Sequence, residues 1–246
     1  MINIVIPMAG EGSRFVKAGY AKPKPFIDVY GKPMIARVME NLKCRNARYI
    51  LIGRQEHLEQ EKGLVEKISA QYNATFISID KLTEGTACTV LFARQYISND
   101  EPLLIANSDQ LVDSSIQDFV DECFEKQLDG SILTFRDPEL NPKWSFAKLN
   151  EDGVVTEVQE KNPISEFATV GIYLFSKGSA FVNAAIDMII NNDRVNNEFY
   201  TCPVYNYLIK NGGKVGIHNI LFDQMHGLGT PEDLNVYLLP NETTNN

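Results

Sequence analysis

The residues whose types and spacing could do chemistry fall in short polar segments, each reached by an apolar run. The first is Met8-Ala-Gly-Glu-Gly-Ser-Arg-Phe15, directly after the strand-like run Asn3-Ile-Val-Ile-Pro7. Gly10 and Gly12 let the backbone turn tightly, so that the N–H groups of Ala9, Gly10, Glu11, Gly12 and Ser13 can converge as an anion cradle. Arg14 adds a guanidinium with five donors, suited to a polyphosphate. Next comes Lys22-Pro-Lys-Pro25, in which Pro23 and Pro25 stiffen the backbone around Lys24. Further on, the run Leu103-Leu-Ile-Ala106 feeds a polar turn carrying Asp109. A carboxylate at the end of a buried strand suits a Mg²⁺ ion on bridging phosphates. The plain structural alternative is an Asp that caps a helix.

The glycine loop has competing readings. A dinucleotide-binding fingerprint needs G-x-G-x-x-G, and the third glycine is absent because Ser13, Arg14 and Phe15 follow Gly12. No G-x-x-x-x-G-K-[ST] phosphate loop occurs either. What remains is a glycine turn with solvated basic residues, or a different phosphate cradle.

The order A-G-x-G-S-R, then K-P-K-P, then Gly31-Lys-Pro-Met34 resembles the sugar-phosphate nucleotidyltransferase (nucleoside-diphosphate-sugar pyrophosphorylase) family. Later motifs follow in order, so the resemblance covers nearly the whole chain. Thr83-Glu-Gly-Thr-Ala87 is similar to the family's G-T-A segment, which implies that Glu84, Gly85 and Thr86 hold the nucleobase. Thr86 could equally cap a helix there. Asp109 matches the family's metal-binding Asp, with Ser108 where Gly is usual. Glu160-Lys161 and Gly171-Ile-Tyr-Leu-Phe175 resemble the acceptor segment. This implies that Glu160 holds acceptor hydroxyls, that Lys161 holds the acceptor phosphate and that Gly171 lines the site. Phe146-Ala147 stands where the family often has Tyr-Gly, which would put the Ala147 methyl near the acceptor, and Asn162 replaces a usual Pro. Gly229-Thr-Pro-Glu-Asp233 matches the closing motif. The family often has a second metal-binding Asp two residues before it, where this chain has Gly227; Asp223, His226 or water would have to compensate.

The resemblance implies Mg²⁺-dependent attack of an acceptor phosphate on the α-phosphorus of a nucleoside triphosphate, with Arg14, Lys24 and Asp109 as the catalytic groups. Uridylyl- and thymidylyltransferases of the family commonly place Gln where this chain has Asp80. A carboxylate only accepts hydrogen bonds, which fits the exocyclic amine of cytosine and favours CTP. Sugar 1-phosphates for cell-surface polysaccharides are the expected acceptors. Some capsule-pathway members that resemble this chain are cytidylyltransferases for other phosphates, phosphoglutamine included. Two further readings stay open. A glycosyltransferase would carry Asp-x-Asp, and Asp109-Gln-Leu-Val-Asp113 has the wrong spacing. A catalytically inactive NTP-binding regulator has only Gly227 in its favour.

These groups must be positioned by regular elements. Strand-like runs at 3–7, 49–52, 74–79 and 103–106 alternate with helical spacing at 33–42, 57–69, 87–96 and 119–124. Such alternation predicts an α/β fold: one Rossmann-like domain with a mostly parallel mixed sheet flanked by helices. Ligands in such sheets bind beyond the carboxyl ends of the strands, where the segments 8–15 and 107–110 fall. After residue 130 come strands at 131–135, 146–149, 154–159, 169–175 and 214–218, a hairpin turn at 150–153, and helices near 179–190, 198–210 and from Pro231. This is read as a smaller β-rich acceptor half. The chain is expected to be one domain over 1–246: a nucleotide half at 1–130, an acceptor half at 131–239 and a frayed tail at 240–246.

Composition bounds the partners. The 246 residues carry a net charge of −9, which argues against a nucleic-acid partner. No apolar run approaches the ~20 residues that span a bilayer. The first residues lack the pattern of a signal peptide. The four cysteines show no metal-ligand spacing and are read as reduced thiols, with a hidden disulfide as the alternative. A cytoplasmic protein without membrane insertion is expected, with homo-oligomerisation left open.

Overall fold

Strand β1 (Ile2–Met8) shows how the chain builds its core. Alternate side chains of a strand point to opposite faces. Ile4 and Ile6 lie in one apolar cluster and Val5 in another, and all three are fully buried. Each such side chain contributes about 1.5–3 kcal/mol by leaving water. A strand buried on both faces belongs at the centre of a sheet covered by helices on both sides, and β1 is central. The structure, a computed structural model, describes residues 1–239; the expected frayed tail, 240–246, lies outside the described residues.

The remaining strands are β2 (Asp28–Val29), β3 (Lys32–Pro33), β4 (Ala47–Arg54), β5 (Thr75–Ile79), β6 (Leu103–Ala106), β7 (Gln110–Val112), β8 (Gly130–Arg136), β9 (Ser145–Leu149), β10 (Val155–Glu160), β11 (Phe167–Phe175), β12 (Val215–Ile220) and β13 (Met225–Gly227). The helices are α1 (Ser13–Lys17), α2 (Met34–Asn41), α3 (Gln55–Gln60), α4 (Lys62–Tyr72), α5 (Thr86–Leu91), α6 (Arg94–Ile97), α7 (Ile116–Glu125), α8 (Gly178–Ile190), α9 (Val204–Lys210) and α10 (Pro231–Leu238). The main sheet runs β10-β9-β11-β6-β1-β4-β5, with β8 also paired to β11 and β12 to β8. β1 is parallel to β4 and β6, and β4 to β5, whereas β11 is antiparallel to β6. The expected α/β architecture with a parallel-cored mixed sheet is therefore the one observed.

Four local readings need correction. The helix expected near 198–210 begins only at Val204, as α9, and residues 198–203 are irregular. The helix expected over 87–96 is two pieces, α5 and α6, because the backbone turns between Leu91 and Arg94. The helix expected over 57–69 is likewise split at Glu61 into α3 and α4. No glycine or proline marks the break between α5 and α6, whereas Gly63 lies in the first turn of α4, two residues past the other break. Asp109 caps no helix: β7 follows it, and the next helix, α7, is capped by the Ser115 hydroxyl accepting from Asp118 N at 3.1 Å. The turn at 150–153 is as read. Asn150 Oδ1 accepts from Asp152 N and Val154 N, and Gly153 has φ +74°. All four cysteines are free thiols. Among the described residues no helix is long and apolar enough to cross a membrane.

Candidate active site

The register of the sheet puts the polar segments in one row. Met8 pairs with Gly53 and Arg54 with Ile79, so the ends of β1, β4 and β5 present Ala9, Arg54 and Asp80 side by side. β6 ends beside β1 and delivers Asn107, Ser108 and Asp109 to the same edge. Parallel strands create this edge, since their carboxyl ends all face one way.

Within the first loop, Ala9 is buried while Gly10, Glu11, Ser13 and Arg14 are exposed. Gly12 adopts the left-handed region at φ +62°, just before α1. An added Cβ there would stand 3.2 Å from Lys24 Cβ, so the missing side chain lets the Lys24 segment pack on the loop. Gly10 needs no such freedom: its conformation is ordinary and a Cβ would meet nothing. The Arg14 side chain makes no hydrogen bond or ion pair among the described residues.

Lys24 opens a short 3₁₀ turn, Lys24–Phe26, whose Phe26 is buried in the core. Its ammonium pairs with Asp109 Oδ2 and lies 3.5 Å from the carbonyl of Gly229. The closing motif is anchored to the same point. Leu228 N donates to the Asp109 carbonyl at 2.8 Å, and a Cβ on Gly229 would stand 3.2 Å from Asp109 Oδ2. Thr230 then caps α10 by accepting from Asp233 N at 3.0 Å. Residues 24, 109 and 229, remote in sequence, thus meet in one cluster.

Asp109 supplies one carboxylate, and among the described residues no group of three or more His, Cys, Asp or Glu side chains could hold a metal. Gly227 pairs with Gln110 across the β7–β13 ribbon, and a Cβ on it would meet nothing within 4 Å. His226 does not compensate, because its Nε2 is bonded to Asp113 Oδ2 at 2.7 Å. A single carboxylate, paired with Lys24 in the free protein, fits a Mg²⁺ ion delivered on substrate phosphates rather than a preformed all-protein cage.

The segment 83–87 is held from outside. Gly85 is the N-cap residue of α5 and Thr86 is its first helical residue, so Thr86 is not the cap. Its Oγ1 instead accepts from Thr201 N at 3.1 Å and meets Thr201 Oγ1 at 3.0 Å. Gly85 has φ +117°, and an added Cβ would stand 2.4 Å from the Phe199 carbonyl oxygen. Glu84 pairs with Arg194 at 2.6 Å. Asp80 is exposed and shares a cavity of about 190 Å³ with Arg54, Gln55, Glu56 and Glu59. A larger cavity, about 620 Å³, lies at the opposite edge, where Met1 precedes β1 and Ala47 and Thr75 begin β4 and β5.

On the other side of the edge, Glu160 is the last residue of β10 and accepts a hydrogen bond from the Ser145 hydroxyl. Burial raises its pKa, and Glu198 adds to the rise; Ser145 and Lys161 offset it only in part. Lys161 is exposed, has φ +55°, and donates from Nζ to Tyr200 Oη at 2.7 Å. Gly171 is buried at a bulge of β11 with φ +92°. The Asn107 amide lies where its Cβ would be, 2.1 Å away, and Asn107 N donates to the Gly171 carbonyl at 3.0 Å. Ala147 departs from expectation. It is fully buried, with its methyl packed in the core beside Val155 and Val158, and so offers an acceptor no surface.

Sequence reasoning missed Arg54, Asn107, Tyr200 and Thr201. Arg54 ends an apolar strand and Asn107 stands two residues before Asp109, so position beside known segments could have flagged both. Tyr200 and Thr201 carry no local signal; only long-range packing places them.

Residues 4–219 match the Nucleotidyl transferase family, and the chain belongs to it. It is 25% identical over 178 residues to the bifunctional protein GlmU of Methanocaldococcus jannaschii, covering 72% of this chain and 40% of that protein. It is 23% identical over 214 residues to the UTP–glucose-1-phosphate uridylyltransferase AglF of Haloferax volcanii, covering 78% and 85%. The chain spans about 40% of the length of the GlmU relatives it matches. Its fold superposes on a nucleoside-diphosphate-sugar pyrophosphorylase from Vibrio cholerae RC9 with a TM-score of 0.82 and 26% identity, covering 96% of this chain and 99% of the other.

Proposed function

We propose that the protein transfers a nucleoside monophosphate from a nucleoside triphosphate to a small phosphorylated metabolite, a sugar 1-phosphate in the first instance, and releases pyrophosphate. The observation that carries this reading is the convergence of the Gly12 loop, Lys24, Asp109 and the Gly229 segment at the carboxyl edge of a parallel sheet. The relative named as a UTP–glucose-1-phosphate uridylyltransferase supports the acceptor class. Residues 1–130 would serve the nucleotide and 131–239 the acceptor.

An acceptor phosphate oxygen attacks the α-phosphorus, the bond to the β-phosphate oxygen breaks, and pyrophosphate leaves. Two anions must meet, so the protein acts by positioning and by countering charge. The loop amides and Arg14 hold the leaving phosphates. Lys24, held against Asp109 in the free protein, exchanges that partner for the α-phosphate. Lys161 holds the acceptor phosphate, and Glu160 its hydroxyls. Asp109 would hold a Mg²⁺ ion brought by the triphosphate, which would supply positive charge against the phosphates.

CTP is the favoured nucleotide. Arg54 and Asp80 line one cavity, and cytosine offers an amine donor with the N3 and O2 acceptors next to it on the same edge, which this carboxylate and guanidinium complement. Polysaccharide precursors are the expected products. A non-sugar acceptor such as phosphoglutamine remains a second target, because Ala147 does not shape the acceptor site and leaves its selectivity to other groups. The test is pyrophosphate release from each of the five common triphosphates with Mg²⁺ and a panel of sugar 1-phosphates plus phosphoglutamine. Release with CTP and one acceptor is expected. Tight triphosphate binding without release across the panel would favour an inactive NTP-binding regulator.

A further inference from the structure

A lysine that must hold an anion at a fixed place has a long flexible stem to control, and ordering it costs about 2 kcal/mol in rotamer freedom. Lys161 is already ordered in the free protein. Its Nζ donates to Tyr200 Oη at 2.7 Å and lies 4.5 Å from the centroid of the same ring. Burial alone would lower the pKa of this ammonium. The Tyr200 hydrogen bond, with the nearby Glu160 and Glu198 carboxylates, outweighs burial and raises it. An ammonium has three donors, so Tyr200 takes one and leaves two.

Tyr200 is in turn fixed by the nucleotide side of the molecule. Phe199 N donates to the Glu84 carbonyl at 2.7 Å, and Ala87 N donates to the Phe199 carbonyl at 2.9 Å. Thr201 bonds to Thr86 through both its N–H and its hydroxyl. Arg194 pairs with Glu84 and lies over the Phe199 ring, 4.2 Å from its centroid. Downstream, the buried Tyr205 donates to the carbonyl of Ser131 or Leu174 and stacks on Phe175, which anchors the start of α9. The residues on both sides of Tyr200 are thus bonded to segment 84–87, while its hydroxyl reaches Lys161.

We propose that Tyr200 is a positioning residue that holds the Lys161 ammonium at a set distance from the nucleotide-binding segment, so that an acceptor phosphate is presented within reach of the nucleotide. This rests on the reading of Lys161 as the acceptor-phosphate cation. The bond from Tyr200 orders the lysine before the acceptor arrives, and the contacts of Phe199 and Thr201 make the spacing between the two substrates a property of one rigid strap.

The test is site-resolved labelling of lysine amines by reductive methylation, followed by peptide mass spectrometry across a pH series, on wild type and Tyr200→Phe. The substitution keeps the ring and removes only the hydroxyl. A hydrogen bond to a charged group is worth about tenfold, so Lys161 should label up to about tenfold faster in Tyr200→Phe. Its labelling profile should also move to lower pH, while other lysines stay unchanged. Millimolar inorganic phosphate should protect Lys161 in wild type and protect it less in the variant. Stabilisation of the fold by CTP and Mg²⁺ should be equal in both. An unchanged Lys161 profile and equal phosphate protection would overturn the role of Tyr200 while leaving nucleotidyl transfer standing. No stabilisation of the wild type by CTP or by any other common triphosphate with Mg²⁺ would sink the functional reading instead.

Discussion

The two proposed sides of the candidate site hold their exposed cations differently. On the nucleotide side the backbone is shaped in advance, with Gly12 left-handed and Gly85 pressed against Phe199, but Arg14 stands exposed with no partner among the described residues. On the acceptor side the side chains themselves are tied: Glu160 to Ser145, and Lys161 to Tyr200. A triphosphate brings strong charge of its own and can order an exposed arginine on arrival. A small phosphorylated acceptor, if Lys161 and Glu160 hold it as proposed, brings less, and partners ordered beforehand would lower the cost of binding. Lys24 sits between the two, paired with Asp109 in the free protein; in the proposed mechanism the phosphate would compete for it.

The largest expected effect of breaking this contrast is at Arg14. Arg14→Ala should lower kcat/KM by about 10²–10³, the usual loss of one well-aimed charge donor, without changing the melting temperature of the free protein. A fall below tenfold would remove Arg14 from the phosphate-holding set. Gly85→Ala attacks the shaped backbone. Its new Cβ would lie 2.4 Å from the Phe199 carbonyl oxygen at a backbone φ of +117°, so urea titration should show a loss of about 2–3 kcal/mol. Normal stability with normal activity would mean that segment 83–87 is not held by the strap.

Smaller changes sharpen the comparison. Gly227→Asp fills open space beside the Asp109 segment, and should lower the Mg²⁺ concentration for half-maximal activity by about three- to tenfold. No change would show that position 227 does not face the ion. Glu160→Gln should stabilise the protein at neutral pH by about 1 kcal/mol, since a group held for function is often a local cost to stability. The sign follows from its raised pKa. The folded state binds that proton more tightly, so the stabilisation it contributes is complete below the ordinary carboxylate value and is lost as pH rises through the folded value. The gain from Gln should therefore vanish in acid, and denaturant melts at pH 7 and near pH 4 would compare the two.

The nucleotide side was far more legible in the sequence than the acceptor side. An apolar run ending in Met8-Ala-Gly-Glu-Gly12 announces both a strand and the loop beyond it, because the period of burial and the glycine requirement are local properties. The meeting of Lys24 with Asp109 was implied only by motif order; 85 residues separate them, and the sheet register closes that distance. Ala147 misled because a position in a motif does not say whether a side chain faces ligand or core, and here β9 turns the methyl inward. Tyr200 was invisible for a related reason. Its segment reads as the start of a helix near 198, whereas the chain turns helical only at Val204, and the place of Phe199-Tyr200 is set by backbone bonds to Glu84 and Ala87.

The most direct test of the central claim is thermal unfolding with CTP, UTP, dTTP, ATP and GTP, each with Mg²⁺, because it requires no knowledge of the acceptor. A triphosphate at 100 times its dissociation constant stabilises the fold by about 2.7 kcal/mol. Stabilisation by CTP above the others, abolished in Arg14→Ala, is the expected result. Stabilisation by UTP or dTTP instead would overturn the role given to Asp80 and keep the enzyme class. No shift with any triphosphate at millimolar concentration would contradict nucleotidyl transfer itself.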